Sequence, residues 1–403
     1  MAASTTMATV DSIHKEIYED RIRDQLQSEI ITLMRIEKTS EGITSDVGGK
    51  YVTFPIRVKR NHGIGARNEN EALPPPRTQQ YAPARIRLKY LYGTASLTGQ
   101  TFELAEKNAQ AFASALSQEM DGLRQTLKKD TNRQMYGTNS GIMATIPTGA
   151  GPQTTQTVAS TQYLEVGMIV DVLNSTGATI KVEEAEILAI NTSTGVVTFD
   201  KSFTTANNDI ITRFRAFGKE KTGLSQIISN TGTLYDIDPT VQPVWASTVN
   251  SNSGTPRALS EGLMIKMVDD IRTAGGDVTV IFTSLGVRRA YFNLLVQQRR
   301  YSNTQEFSGG FKGLAFTTDN GDIPLISDFD CQPNRQYFVN EKQIKLYEEG
   351  DWSFMNRDGS NWQRVITAEG TFDAYQATMF KYCEVGTHQR NSHGLLSDLT
   401  EAS

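Results

Sequence analysis

Residues 50–98 read KYVTFPIRVKRNHGIGARNENEALPPPRTQQYAPARIRLKYLYGTASLT. Val52, Phe54, Ile56 and Val58 alternate with polar residues, and Ile86, Leu88, Tyr90 and Tyr92 alternate on the way back. A period of two marks half-buried strands, so the stretch is expected to form two strands. Between them lie some 25 residues without apolar periodicity, with Gly63, Gly65 and the run Pro74, Pro75, Pro76. A compact domain rarely carries so long a structureless connection unless it is functional or binds elsewhere. The charge is lopsided too. Nine basic residues stand against Glu69 and Glu71, a net of +7 that leaves −12 on the rest of a chain whose total is −5. A basic arm on an acidic body suits contact with another copy of the same body. The expected contact residues are Arg57, Lys59, Arg60, Arg67, Glu69, Glu71, Arg85 and Arg87, with Phe54, Ile56, Leu88 and Tyr90 as the apolar face. The plainer reading is a charged hairpin in solvent.

On the N-terminal side, residues 11–38 carry Ile13, Ile17, Leu26, Ile30 and Leu33 at mostly helical spacing, set off from the arm by Gly48-Gly49. A lone helix must dock to be stable, on its own chain or on a neighbour. On the C-terminal side, Phe102, Ala105, Ala109, Phe112, Leu116, Met120, Leu123 and Leu127 form one apolar stripe. Their spacing predicts a helix from Thr101 to Tyr136. At ~1.5 Å per residue it would be about 54 Å long. Gly141 to Thr157 reads as a linker by its Gly, Pro and Thr content. Residues 161–217 read as short strands separated by Asn/Thr/Gly turns, a small inserted barrel or sandwich. From 258 the pattern is α/β: a helix from Leu259 to Ile271, a strand Val278–Phe282, a helix Val287–Gln298, then strands at Ile323–Ile326, Gln336–Val339 and Gln343–Tyr347. Tyr375, Ala377, Met379, Cys383 and Val385 alternate along one long final strand.

At 403 residues the chain has room for two or three domains. Its acidic balance excludes a dedicated nucleic-acid binder, which would show a basic domain or stripe. No apolar run approaches the ~18 residues a membrane span needs. The N-terminus lacks the basic start and apolar stretch of a secretory signal. Two cysteines, Cys331 and Cys383, make no disulfide framework. The expectation is a soluble protein of a reducing compartment.

Signals for catalysis are missing in the motifs where they are usually found. His388, His393 and Cys383 are three potential zinc ligands where a closed site needs four, so the expected state of this tail is a solvated C-terminus. Gly63-Ile64-Gly65-Ala66-Arg67-Asn68 begins like a dinucleotide fingerprint but lacks the third glycine and the helix behind it, without which no phosphate cradle forms. Neither a nucleophile elbow nor a phosphate loop occurs. No enzyme activity, cofactor or metal is expected.

The order of these segments resembles that of the major capsid proteins of tailed bacteriophages. Thr233-Leu234-Tyr235-Asp236-Ile237-Asp238 before Trp245, and Phe311-Lys312-Gly313-Leu314 before Ile323-Pro324-Leu325, are similar to phrases in that family. The resemblance implies an α+β fold: an N-arm at 1–49, an extended E-loop hairpin at 50–98, and a peripheral (P) domain with its long spine helix at 99–150. An inserted β-barrel-like domain at 158–219, an α/β axial (A) domain at 220–350, and return strands of the P domain with the C-terminus at 351–403 follow. The implied function is a shell subunit that assembles into hexamers and pentamers as an icosahedral head around packaged double-stranded DNA. Implied partners are further copies, a portal, decoration proteins in some relatives, and, since the N-terminal region is too short for a fused scaffold, either a separate scaffolding protein or assembly without one. DNA would be enclosed without sequence-specific binding, no membrane is involved, and assembly would occur in the host cytoplasm before the protein resides in the virion. Lys50, Lys59 and Lys89 are available for the loop-lysine crosslink some members form, but no motif fixes its Asn partner. The alternative within the fold is an encapsulin-type shell around cargo enzymes; from another class, an enzyme or sugar-binding β protein.

Overall fold

The computed structural model describes residues 30–40, 52–100, 112–299, 314–319, 321–356, 363–367 and 370–402. Three six-stranded sheets and one two-stranded hairpin account for the strands among them.

The first sheet is built on the strand Gly370–Thr387. Lys89–Thr98 runs antiparallel to it from Cys383↔Lys89 to Ala374↔Thr98. Ile344–Glu348 lies on its other flank. Glu37–Thr39 then adds a parallel edge, Lys38 opposite Leu346. The second sheet has the order 142–146, 209–213, 169–173, 180–191, 196–203, 153–157, antiparallel throughout. The third runs 248–250, 394–396, 336–339, 280–283, 321–327, 315–318. Its central strand Val280–Thr283 is buried along its whole length. Val280 and Phe282 face one apolar core, and Ile281 faces another beneath the helices Glu261–Thr273 and Leu285–Arg299. A strand covered on both faces must read as an unbroken apolar run, and this one does.

The long helix is described from Phe112 to Gln134, and its expected first turns lie outside the described residues. Its last turns supply Met135 and Tyr136, fully buried just beyond the helix, to the main core. A buried ion cluster fastens that end: Asp130 accepts from Arg133 and Arg213 at 3.0 Å each, and Arg133 reaches Glu220. Burial alone would raise the Asp130 carboxyl, but the two guanidinium groups overcome it and hold it below the ordinary carboxylate range.

Four expectations need correction. The N-terminal helix does not continue to 38: Ile31–Arg35 is helical, then Glu37–Thr39 is a strand. The sheet edge at Ile344–Glu348 offers unpaired backbone groups, and pairing there overrides local helical spacing. Most of the 11–38 stretch lies outside the described residues. The short helix does dock on its own chain. Thr32 donates from N and Oγ1 to Asp328 Oδ2 (3.1 and 2.6 Å), and Leu33 N donates to Asn132 Oδ1 at 3.0 Å.

Second, 141–157 is no linker. Ile142–Ile146 and Gln153–Thr157 form the two outer strands of the second sheet, where Ile146 and Gln156 are buried despite the polar composition. Third, Tyr90 and Tyr92 do not return along the arm. The hairpin ends at Ile86 and the chain turns to pair with the long final strand. Fourth, the C-terminal tail is buried rather than solvated: Arg390, Ser392 and His393 have no exposed surface. Arg390 is tolerable there because its guanidinium donates to the carbonyls of Gln226, Ile227, Thr231, Gly232 and Trp245.

Candidate assembly surface

The arm is a hairpin of Val52–Lys59 against Gln80–Ile86, in register from Val52↔Ile86 to Ile56↔Ala82, with a bulge between Arg57 and Lys59. Pro55 lies opposite Pro83. Proline cannot donate to a ladder, so each strand loses an edge N–H and the ribbon resists accidental strand addition.

Its base is clamped into the body. Ala84 and Ile86 are fully buried and Val52 nearly so. Arg85 N donates to Tyr235 O at 3.1 Å. Phe54 meets the His388 ring edge-on at 4.8 Å between centroids. The receiving element is a two-residue turn, Leu234–Ile237, closed by reciprocal backbone bonds of 3.0 Å. Tyr235 and Asp236 both have positive φ (54° and 66°), the left-handed backbone that such a turn requires. Neither is glycine, so the turn is held from outside: the Tyr235 hydroxyl donates to Val385 O at 2.6 Å. Burial raises that phenol well above its ordinary value.

Beyond Ile56 the hairpin leaves the body. A groove of about 750 Å³ runs beneath it, lined on the arm side by Phe54, Ile56, Val58 and Lys59 and on the body side by Val244 and Gln389. The outer positions Thr53, Pro55, Arg57 and Lys59 are exposed, while Phe54, Ile56 and Val58 are half-buried.

The expected contact residues separate into three groups. Arg57, Lys59 and Arg60 are exposed, and none has an ion pair among the described residues. Arg67, Glu69 and Glu71 sit at the tip. Arg67 donates to the Ala66 and Ala72 carbonyls, and Glu71 accepts from Asn68 N at 2.9 Å, so Arg67 and Glu71 shape the loop itself. Arg85 and Arg87 are turned toward their own body, where Asp236 faces them at 3.9 and 3.4 Å. Part of the arm's positive charge is therefore answered within the chain.

The apolar set also divides. Phe54, Ile56 and Leu88 pack against the main core of their own chain. Tyr90 remains 62% exposed, edge-on to Tyr382 at 4.9 Å. The hairpin's inner face is thus partly satisfied at home. What stays open is the tip, with Ile64 at 81% and Leu73 at 84% exposure. Sequence reasoning missed both, because single apolar residues in a polar loop have no periodicity. It also missed Asp236, whose role depends on a contact across 149 residues. Among the described residues no cluster of His, Cys, Asp and Glu can hold a metal, and no helix is long and apolar enough to cross a membrane.

Comparison with known proteins fits this geometry. The family model described as SU10 major capsid protein matches residues 99–380. The cyanophage A-1(L) capsid asymmetric unit has a TM-score of 0.60 at 14% identity, covering 98% of this chain and 100% of that one. The capsid of the native GTA particle gives 0.51 at 10% identity over 100% of both chains. A structure from Mycobacterium phage Bobi gives 0.50 at 8%, over 99% of this chain and 100% of that one. At these identities the likeness is one of fold, the tailed-phage capsid fold. No curated protein matches the sequence. The family match extends from the end of the strand that leaves the arm to the middle of the strand that pairs with it, well over half the chain, and so this protein belongs to the SU10 major capsid protein family, as a structural subunit of a phage capsid shell.

Proposed function

We propose that this subunit forms hexamers and pentamers that close into an icosahedral head around packaged double-stranded DNA, and that the arm joins neighbours within it. One observation carries the reading: a hairpin clamped at its base, standing off its own body, with an unpaired basic outer face and an exposed apolar tip. Such a projection is costly in an isolated subunit and useful in a closed assembly, where each arm lies on the next copy. Charge steers that encounter and fixes register, while exposed ion pairs add only ~0–1 kcal/mol each. Affinity comes from Tyr90, Ile64, Leu73 and whatever part of Phe54, Ile56 and Leu88 a neighbour covers, multiplied by repetition around the ring.

In the same reading residues 1–49 are an N-arm, 50–98 the E-loop, and the helix ending at Gln134 the spine of the P domain. The insertion begins at Ile142 rather than 158 and ends at Arg213. The A domain follows to about 350, and the last strands return to the P domain. The subunit performs no catalysis and needs no cofactor. A separate scaffolding protein and a portal guide assembly in the host cytoplasm, and the DNA is held without sequence-specific contacts. The capsid family match favours this over a cargo-holding encapsulin.

Reversing Arg57, Lys59 and Arg60 to Glu tests the arm. The variant should fold normally, since these side chains are exposed and have no ion pair among the described residues, yet form shells slowly or not at all by electron microscopy and light scattering. Raised salt should slow wild-type assembly in the same direction, because the Debye length falls to ~3 Å at 1 M. Shells formed by the triple variant at the wild-type rate would show that the arm's charge is only a solvated surface.

A further inference from the structure

The helix Leu285–Arg299 has two apolar faces where a surface helix needs one. Val287 and Tyr291 are buried in the core beneath the third sheet, with Ala290, Leu294 and Leu295 packed beside them. On the opposite side Leu285, Phe292 and Val296 are 39%, 47% and 42% exposed. With exposed Arg289 they follow a spacing of 4, 3, 4, a straight stripe about 16 Å long. Arg288 flanks it and is also exposed. Arg288 donates to Ser327 Oγ and Arg289 to Ala402 O, and among the described residues neither has a carboxylate partner. From Leu285 to Arg299 the helix holds no acidic residue at all.

The same core carries a second helix with the converse surface. Glu261–Thr273 buries Met264, Met267, Val268 and Ile271. Its outer side presents Ile265, 45% exposed, between Glu261 and Asp269, one turn before and one after. Lys266 is already neutralised by Asp270 at 2.6 Å. Gly262 lies in the turn beside Ile265, and among the described residues a methyl group built there would touch nothing. Packing among the described residues gives no reason for that glycine; it leaves a shallow notch next to the exposed Ile265. This helix packs on the 248–250 and 394–396 side of the sheet, and Leu285–Arg299 on the 321–327 side.

We infer that these two faces are partners between copies: the Leu285–Phe292–Val296 stripe of one subunit seats on the Ile265 face of the next, with Arg288 and Arg289 against Glu261 and Asp269. The inference rests on the shell reading and adds a contact to it. The match is heterologous, one face against a different face, so each copy offers both halves and the contact propagates head to tail. Such contacts close into a ring when the rotation per subunit allows. Phe292 is the anchor, an aromatic at the middle of the stripe, with the notch at Gly262 able to receive it. Apolar surface supplies the attraction, and the opposite charges choose the partner face and exclude like against like.

The test uses the full chain. Phe292→Glu should leave the circular dichroism of the subunit unchanged, because the residue faces solvent, and slow particle formation at least about tenfold, as removal of an interfacial aromatic anchor does. Separately, Ile265→Cys and Phe292→Cys are combined in one chain and its particles treated with a mild oxidant. The two native cysteines are buried and do not compete. The expected product is a ladder of covalently joined chains on a non-reducing gel, whereas each single cysteine variant gives none. Normal assembly of Phe292→Glu, or particles of the double variant that yield no ladder, overturns the pairing while leaving the shell reading intact. If the unaltered protein forms no particles under any condition, the shell reading fails and this contact with it.

Discussion

His393 should make a pH-dependent contribution to stability that a single substitution isolates. The imidazole is fully buried among Thr387, Asn340 and the third sheet. Asn340 N donates to its Nδ1 at 3.2 Å, so that nitrogen carries no proton, and Nε2 lies 2.9 Å from Thr387 Oγ1. Burial pushes its pKa from 6.5 down to about 3. Between these values an unfolded chain binds a proton that the folded chain refuses. The associated stability is present above pH 6.5 and is lost as the pH falls toward 3. From pH 7 to pH 5 the loss is about 2 kcal/mol.

Two carboxyls act in the opposite sense. Burial raises Glu384 to about 7, against hydrogen bonds from Thr222 N and Val385 N, and raises Asp330 to about 6. Their contributions are present at low pH and are lost as the pH rises, so acidification strengthens the fold at these sites. The wild-type curve therefore mixes both signs and can look flat. The informative quantity is the gap between wild type and His393→Gln. At pH 7 the variant is less stable, having lost two buried hydrogen bonds, each worth about 1 kcal/mol. At pH 5 the gap should have narrowed by about 2 kcal/mol, since only the wild type now carries the protonation penalty. Urea unfolding of the unassembled subunit, followed by the fluorescence of buried Trp245, measures it. Parallel curves with a constant gap from pH 7 to pH 5 would refute the reasoning, because His393 would then titrate in the native protein as it does in water.

Two further outcomes follow from the same core. Arg390→Met should cost about 1–3 kcal/mol in urea unfolding, because the carbonyls of Gln226 and Trp245 lose the guanidinium, while Ile227 O keeps Ser247 Oγ at 3.2 Å and Thr231 O keeps Ser229 Oγ at 3.1 Å; a loss below ~0.5 kcal/mol would mean that water takes the guanidinium's place. Gly386→Ala should cost about 1–3 kcal/mol, since the added methyl carbon falls 2.3 Å from Ile86 Cδ1 and 2.4 Å from the Tyr347 ring, at the base of the arm; an unchanged midpoint would show that the clamp is looser than its packing implies.

The elements that could be read from the sequence are those whose periodicity is local and strong. The long helix, the buried strand at Val280–Thr283 and the final strand were all legible, because a stripe or an alternation survives wherever the segment is packed. The first strand of the arm, Val52–Lys59, was legible for the same reason, and the arm's charge needed only counting; its true return strand, Gln80–Ile86, lay in the stretch read as a structureless tip. Tertiary structure decided what became of these pieces. Polar Gln153–Thr157 became a strand because a neighbouring strand offered it a ladder, not because its side chains favour one. Glu37–Thr39 left its helix for the same reason. Arg390 and His393 look like a solvated tail in the sequence, and are buried because five carbonyls and one amide from distant segments converge on them beside the nearby Thr387 hydroxyl. Asp236 was invisible as a partner of the arm, since its meeting with Arg87 spans 149 residues. Periodicity reports how a segment is covered. Which segment covers it, and which buried polar group finds its donor, is set only when the chain closes on itself.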